Sequence, residues 1–375
     1  MKTALIHFNH SSDGNVTTWP DMRTSAWKPN YGDMLVCAAI LRQLAPGPRV
    51  RVGFGGSLSE EVDRGLIRGS TYLHNKMDFE GVNRTLDSVK APLAVVGLGA
   101  QNPTQDLGFL DQNEGAKAFI ARLNERSHSI SVRGEFTAAI VERLGGKNIR
   151  VTGCPSLFYS LACPVVSVPR HLATNKRSVG ISLHTGLGKN MYCDAPKEAR
   201  RAHVDAILFG MRKWAKLSLF EQGVINEFNV ADERLPMAAR IEAANAVLKA
   251  IGGEGEITAE ELIEHMVSVR SIEDWLARAS ELHAIIGFRF HGNMVALLQG
   301  KPCYYYVYDS RITEFCDLYR LPYQDVREGW KNPVRAMLDH DWESTNVAIA
   351  KCGEELKTFY AENGFDVTWT DPRPI

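Results

Sequence analysis

This sequence of 375 residues has few of the patterns that mark metal-binding or membrane proteins. Its seven cysteines include no C-x-x-C pair and its eleven histidines include no H-x-x-x-H pair, so no metal site is expected. An odd number of scattered cysteines favours reduced thiols and a cytoplasmic protein. Apolar runs stay well short of the roughly 20 residues that a membrane-spanning helix needs.

The sequence also has no large excess of positive or of negative charge. The formal net charge is −1 and 23% of the residues are charged, so a nucleic-acid partner is not expected and any positive field must be local. The N-terminal run 1–7 is too short for a signal peptide and predicts a first strand. A chain of this length that is 45% hydrophobic can form two domains of about 100 to 200 residues each.

Short apolar runs alternate with helix-like segments, which predicts an α/β fold with mostly parallel sheets. Candidate strands of the first half are Ala4–Phe8, Val50–Phe54, Leu93–Gly97, Ser129–Val132 and Ile149–Thr152. Those of the second half are Ser178–Leu183, Lys216–Glu221, His283–Gly287 and Cys303–Tyr308. Predicted helices of the first half are Met34–Leu44, Ser57–Gly65 and Glu135–Leu144, the second of which carries a capping-box pattern from Ser57 to Glu60.

A proline-containing basic stretch, Leu161–Arg177, interrupts this periodicity and predicts a linker. The expected domains are therefore an N-terminal lobe over 1–165 and a C-terminal lobe over 175–340. A C-terminal helix and tail follow over 341–375. The polar stretch Asn9–Pro29 is the longest predicted loop, and loops of that length inside a domain are usually functional.

The segment Gly287–Asn293 places an arginine and a histidine two residues apart where a strand gives way to a helix. In α/β proteins the carboxyl ends of the strands face the crevice that binds ligands, so Arg289 and His291 predict an anion-handling site. Taken alone, Arg289 could instead pair with a surface carboxylate, and His291 could be held by backbone groups. The pattern becomes more specific because Gly300-Lys301-Pro302 and a strand ending in Tyr308-Asp309 follow it.

These elements resemble the polysaccharide pyruvyl transferase family, which has an R-L-H-A-like turn, a helix, a G-x-P and a strand ending in Tyr-Asp. Three further pieces are similar to that family, namely Asn30-Tyr31-Gly32-Asp33, Val96-Gly97-Leu98-Gly99 and Val132-Arg133-Gly134. The sequence departs from the family at Phe290, where Leu is usual, and at Gly292, where Ala is common. The resemblance implies two Rossmann-like lobes facing a central cleft, as in glycosyltransferases of the B type, with the C-terminal helix crossing back to the first lobe.

The resemblance also implies phosphoenolpyruvate as donor, without a further cofactor, and a sugar diol of a polysaccharide or its lipid-linked precursor as acceptor. The expected products are a cyclic pyruvate ketal and inorganic phosphate. A donor that carries a carboxylate and a phosphate calls for planar bidentate cations, and the candidates are Arg133 and Arg289. Such an enzyme is expected in the cytoplasm, and a place at the inner face of the membrane stays open.

His291 is the candidate catalytic group, because an imidazole titrates near neutral pH. It either moves a proton or only hydrogen-bonds the donor, and its charge state should depend on the donor anion and on the nearby Arg289. Asp33 is expected to cap a helix or to accept a hydrogen bond from a sugar hydroxyl. The remaining candidates for contacts to the acceptor or to phosphate are Asn30, Gly97, Gly99, His184, Lys189 and Asp309.

Two other functions remain open at this point. One is a glycosyltransferase that uses a nucleotide sugar, because one fold serves several chemistries. The other is a scaffold that binds a sugar or an anion without catalysis. A phosphate loop is rejected at Thr185–Lys189, since Leu183 and Asn190 stand where that motif needs glycine and a hydroxyl residue.

Overall fold

The computed structural model of the protein describes residues 1–8 and 30–369. The predicted loop Asn9–Pro29 therefore lies outside the described residues. The strands are β1 (Thr3–Ile6), β2 (Arg49–Val52), β3 (Arg64–Arg68), β4 (Thr71–Leu73), β5 (Leu93–Val96), β6 (Gly99–Ala100), β7 (Ile130–Val132), β8 (Ile149–Val151), β9 (Ser178–Ser182), β10 (Lys216–Phe220), β11 (Met266–Val267), β12 (Ala284–Gly287), β13 (Cys303–Val307) and β14 (Tyr323–Asp325). The helices are α1 (Tyr31–Gln43), α2 (Phe79–Ser88), α3 (Glu114–Arg126), α4 (Glu135–Arg143), α5 (Pro196–Lys213), α6 (Ile225–Ala231), α7 (Met237–Ile251), α8 (Ala259–His265), α9 (Ile272–Ser280), α10 (Phe290–Leu298), α11 (Ser310–Tyr319), α12 (Pro333–Asp339) and α13 (Trp342–Glu362).

The first lobe is built on a parallel sheet in the order β2-β1-β3-β5. The pair β7-β8 continues it, because the Leu98 N–H donates to the Ser131 oxygen and the Arg133 N–H donates to the Leu98 oxygen, each at 2.8 Å. The chain leaves β1 first toward β2 and then returns to place β3 on the other side of β1. The carboxyl ends of β1 and β3 thus flank a switch point, where sheets of this kind bind ligands.

The second lobe contains a parallel sheet in the order β11-β10-β9-β12-β13-β14. Here the chain runs outward from β9 to β11 and then returns to place β12 on the other side of β9. A second switch point therefore lies between β9 and β12. The predicted α/β class, with two Rossmann-like lobes across a central cleft, is confirmed.

The two lobes are joined by a shared core and by the last helix. Buried residues of α1 belong to the same apolar cluster as the sheet of the second lobe. Helix α13 lies on the first lobe, where Arg150 Nη1 pairs with Glu355 Oε2 at 2.6 Å and Ser129 Oγ donates to Glu362 Oε2 at 3.0 Å. We keep 1–165, 175–340 and 341–375 as the proposed division of the chain. Among the described helices, α13 included, none combines the length and apolarity that crossing a membrane requires.

The predicted helix over Ser57–Gly65 is wrong. Residues 57–62 form no helix, and Gly65 lies inside β3, between β1 and β5. The side chains of Leu66 and Ile67 are fully buried there. A short polar segment that buries little gains too little from helix formation, whereas the sheet needs its central strand, so packing overrides the capping pattern.

Candidate active site

Arg289 occupies the switch point of the second lobe. It precedes α10, and its Nε donates to the Leu183 oxygen at 2.9 Å, just beyond the end of β9. Its backbone N–H donates to Ser182 Oγ at 3.3 Å. Its Nη2 lies 3.9 Å from Oε1 of the buried Glu227. The guanidinium is thereby fixed at the carboxyl ends of β9 and β12, with part of its surface exposed.

Arg68 and His7 occupy the corresponding point of the first lobe. The Arg68 side chain is buried at the end of β3, and its Nη1 lies 3.0 Å from Asp33 Oδ1. His7 follows β1 and stacks on Phe54 with ring centroids 4.3 Å apart. Burial and the charge of Arg68 lower the pKa of His7 to about 4, and Asp33 acts in the opposite direction. His7 is therefore neutral at neutral pH.

His291 lies in the first turn of α10 and reaches across to the first lobe. A Cβ at Gly32 would collide with the His291 imidazole, so the glycine of the Asn30–Asp33 motif gives the ring its space. On its other side His291 Nε2 lies 3.7 Å from Cys154 Sγ. The imidazole of the second lobe is thus held between two segments of the first.

Burial and the charges of three arginines together lower the pKa of His291. Burial lowers its pKa well below 6.5, and the charges of Arg133, Arg311 and Arg68 lower it further, in that order. The imidazole is accordingly neutral near pH 7. Arg289 was expected to exert this effect, but the structure assigns it to the other three arginines.

Phe290 links two of these arginines. Its ring is buried, with the Arg133 guanidinium carbon 5.7 Å and the Arg311 guanidinium carbon 5.9 Å from its centroid. Both distances lie within the range of cation–π attraction, which leucine could not provide. Phenylalanine at this position therefore makes contacts that the usual leucine could not make. Glycine at position 292, where alanine is common, leaves space for the Gln222 amide, with which a Cβ would collide.

Arg289 belongs to a neighbouring group with His184 and Tyr308. The rings of His184 and Tyr308 meet edge to face, with centroids 5.8 Å apart. Burial lowers the pKa of His184 well below 6.5, and the charges of Arg289 and Arg311 add to the effect. The charge of Arg311 thus acts on both His184 and His291 and links the two groups electrostatically.

Asn30 and Asp33 exchange the roles expected for the helix start. The Asp33 N–H donates to Asn30 Oδ1 at 3.2 Å, which makes Asn30 the N-cap of α1. The prediction that Asp33 caps this helix is therefore wrong. Asp33 lies in the first turn, and its carboxylate faces Arg68 near the cleft.

Gly97 and Gly99 do not offer their amides to a ligand. The Gly97 N–H donates to Ser131 Oγ at 2.7 Å, and the Gly99 N–H donates to the Ser70 oxygen at 2.9 Å. The idea that these amides approach an anion is therefore wrong. Gly99 instead makes room for Arg133, whose Cδ lies 3.0 Å from where a Cβ would stand.

Lys189 and Asp309 differ in their relation to the cleft. Lys189 is exposed at the end of a 3-10 turn, Thr185–Lys189. Asp309 is buried and caps α11, and its Oδ2 accepts a hydrogen bond from Gln101 Nε2 at 2.6 Å. Arg311 Nη2 lies 3.7 Å from the same oxygen, so Asp309 orients a cleft arginine.

The sequence prediction missed Arg68 and Arg311. Arg311 follows the Tyr308-Asp309 strand end by two residues, in the same way that His291 follows Arg289, and this spacing was a usable signal. Arg68 was missed because no strand was predicted there, and the helix predicted over Ser57–Gly65 covered only the start of β3. The sequence analysis therefore did not identify these two cations of the cleft.

A buried carboxyl joins the lobes beside the cleft. Tyr31 of the first lobe donates its hydroxyl to Glu221 Oε1 at 2.8 Å, and Glu221 Oε2 accepts the Gly223 N–H at 2.8 Å. Burial raises the pKa of Glu221 to about 7, although these hydrogen bonds act in the opposite direction. The carboxyl is therefore partly protonated at neutral pH.

This raised pKa predicts a pH-dependent stability. Because the folded-state pKa of Glu221 lies above its ordinary value, its contribution to the free energy of unfolding is present at low pH and is lost as pH rises through about 7. Glu221→Gln should remove that part of the slope, at roughly 1.4 kcal/mol per unit of pKa shift. Denaturant titrations of both chains at pH 5 and pH 8 measure it. A stability difference that stays constant between the two pH values contradicts the assignment.

Comparison with known proteins agrees with the sequence motifs. A family profile described as polysaccharide pyruvyl transferase matches residues 30–310, about three quarters of the chain. Among curated proteins no sequence matches. Solved structures with a similar fold include a putative UDP-N-acetylglucosamine 2-epimerase from Listeria monocytogenes, at 11% identity and a TM-score of 0.45 over 96% of this chain and 95% of that one. Another is Anabaena HepE in complex with UDP and glucose, at 10% identity and a TM-score of 0.46 over 97% of each chain.

The matched region begins at the cap of α1 and ends at Ser310. It contains Arg133, Arg289 and His291, the cations and the imidazole on which the sequence prediction rested. The predicted family is confirmed, and with it a transferase whose acceptor is a polysaccharide or sugar. This chain belongs to the polysaccharide pyruvyl transferase family.

Proposed function

We propose that this protein transfers the pyruvyl group of phosphoenolpyruvate to two hydroxyls of one sugar, which forms a cyclic ketal and releases inorganic phosphate. One observation carries the proposal. The charges of Arg68 and Arg133 of the first lobe and of Arg311 of the second act on the buried His291 imidazole, and Arg133 and Arg311 both lie against the ring of the adjacent Phe290. Arg289 lies at the adjoining switch point. Such a group of cations suits a small, highly charged anion.

The charges of the donor match this arrangement. Phosphoenolpyruvate carries a carboxylate and a phosphate on three carbons, and planar guanidinium groups bind both by paired hydrogen bonds. Arg133 Nε is buried without a hydrogen-bond partner in the described part of the chain. A buried donor of this kind usually has a partner, and a bound oxyanion would supply one.

The chemistry then needs one proton on carbon. A proton added to the C3 methylene of the enol leaves an oxocarbenium-like centre at C2, and the first sugar hydroxyl attacks that centre and loses its proton. The second hydroxyl forms a second bond to C2 as the bond from C2 to the phosphate oxygen breaks, and phosphate leaves with the electron pair. One of the two hydroxyl protons balances the proton placed on C3, and the other leaves with phosphate.

His291 is suited to move that proton only after the donor binds. In the free protein burial keeps it neutral, and the charges of the three arginines add to that effect. A donor anion would offset their charge and raise the pKa of His291, so the imidazole would take up a proton as the complex forms. Protonation would thus be tied to the presence of substrate, which limits proton delivery in an empty cleft.

We expect donor binding near pH 7 to be accompanied by uptake of up to one proton. Calorimetric titration with phosphoenolpyruvate in buffers of different ionisation enthalpy measures this number. His291→Asn, which keeps a hydrogen-bonding side chain but does not titrate, should bind with less proton uptake. Equal uptake by both chains would show that another group takes the proton.

Turnover decides between this function and its rivals. The purified chain is incubated with phosphoenolpyruvate and a panel of glycans, and phosphate release and the methyl signal of a pyruvate ketal are followed by NMR. Both signals together support the proposal. Release of a nucleoside diphosphate from a sugar nucleotide would instead favour a glycosyltransferase, and binding without turnover of any acceptor would favour a scaffold.

A further inference from the structure

Helix α4 of the first lobe begins directly after Arg133 and Gly134 and lacks a cap of its own. Gly134 occupies the N-cap position and has no side chain that could accept a hydrogen bond from the first turn. The first amides of a helix need such acceptors, and a missing one leaves the helix start less well held. The residue that supplies the acceptor therefore affects the neighbouring Arg133.

Glu314 supplies it from the opposite lobe. This buried residue of α11 accepts the Thr137 N–H with Oε1 at 2.5 Å and the Thr137 hydroxyl with Oε2 at 2.9 Å. A Cβ at Gly134 would collide with the Glu314 side chain, so the glycine admits the carboxylate. Thr137 Oγ1 also accepts the Ala100 N–H at 3.0 Å, which ties the same contact to β6 beside Gly99.

Arg133 is electrostatically coupled to this carboxylate. Burial raises the pKa of Glu314 to about 7, whereas the hydrogen bonds from Thr137 and the charge of Arg133 lower it. Two further contacts of α11 with the first lobe lie nearby, from Gln101 to Asp309 and between Ser310 and Asn102 at 3.0 Å. The start of α11 thus also contacts residues 101 and 102, which directly follow β6.

We propose that Glu314 is a positioning residue, which caps α4 from the second lobe and so keeps Arg133 directed into the cleft only while the lobes are docked. Its role in turnover rests on the proposed function, because Arg133 is there a ligand of the donor. The coupling would ensure that a donor-binding cation of the first lobe is in place when the second lobe presents His291.

The test has one arm that needs no substrate. Glu314→Ala should speed amide hydrogen exchange over residues 134–138, measured on the full chain by mass spectrometry. Glu314→Gln, which can still accept the Thr137 N–H, should restore most of the protection. Asp317→Ala is the matched control, because this exposed carboxylate of the same helix accepts a hydrogen bond from Tyr323 within its own lobe at 2.8 Å. Unchanged exchange in Glu314→Ala would overturn the proposal.

The second arm follows the donor. Glu314→Ala should raise the KM for phosphoenolpyruvate by about tenfold with a smaller change in kcat, because a ligand of the donor is misplaced while the proton-transfer group is kept. In an Arg133→Lys background the same change should add little, since coupled sites are not additive. Faster exchange with an unchanged KM would reduce Glu314 to a structural cap and overturn the positioning role.

Glu314→Asp is a second variant for the case that Glu314→Ala does not fold. It keeps the charge but shortens the reach, and the same effects should follow at smaller size. A wild-type chain that does not bind phosphoenolpyruvate would overturn the proposed function, and the exchange arm would then decide by itself whether Glu314 holds the start of α4.

Discussion

Replacing His291 by asparagine should lower the turnover of phosphoenolpyruvate by roughly 10²- to 10⁴-fold, the usual contribution of a general acid or base. The imidazole is buried, and the charges of Arg133, Arg311 and Arg68 all act on it. Asparagine keeps a hydrogen-bonding side chain of similar reach but cannot exchange a proton near pH 7. Phosphate release under saturating donor and acceptor measures the effect.

The same variant separates the two roles of His291 that the sequence left open. If the imidazole moves the proton, donor affinity should change little while kcat falls. If it only hydrogen-bonds the donor, affinity and turnover should fall together. His128→Asn is the control, because that histidine is exposed and away from the cleft. Turnover of His291→Asn close to that of wild type would remove His291 from the mechanism.

Arg289→Lys should raise the KM for phosphoenolpyruvate by about 10- to 100-fold, although the charge is kept. A hydrogen bond to a charged group is worth about 1.5–3 kcal/mol, and lysine can neither form the planar pair nor keep the Nε bond to the Leu183 oxygen. Steady-state kinetics at saturating acceptor provide the measurement. A donor KM that is unchanged would exclude Arg289 as a donor ligand.

Arg278→Lys is a suitable control for this second substitution. Arg278 pairs with Asp274 at 2.9 Å on the surface of α9, where lysine can replace it with little loss. Both variants keep the net charge of the chain, so a difference between them cannot come from long-range attraction of the anion. It would come from the geometry of the cation at the switch point.

Much of the second lobe could be predicted from the sequence. The strands β9, β10 and β12 lie within a residue of the predicted bounds, because each is a mostly apolar run with turn residues at its ends. β3 escaped prediction, since its two apolar residues lie between Gly65 and Arg68 and give no alternation. Because β3 was not predicted, Arg68 at its end was not recognised as a cation of the cleft.

The sequence by itself determined the family, several strands of the second lobe, and the positions of Arg133, Arg289 and His291 beside strand ends. These features depend on neighbours within a few residues, which a single sequence displays. The tertiary structure alone decided that the charges of Arg68, Arg133 and Arg311 act on a buried His291, and that Glu314 caps α4 from 177 residues away. Contacts between lobes, and the desolvation that shifts a pKa, arise only when distant segments pack together. Local sequence patterns do not show which strand ends will face each other.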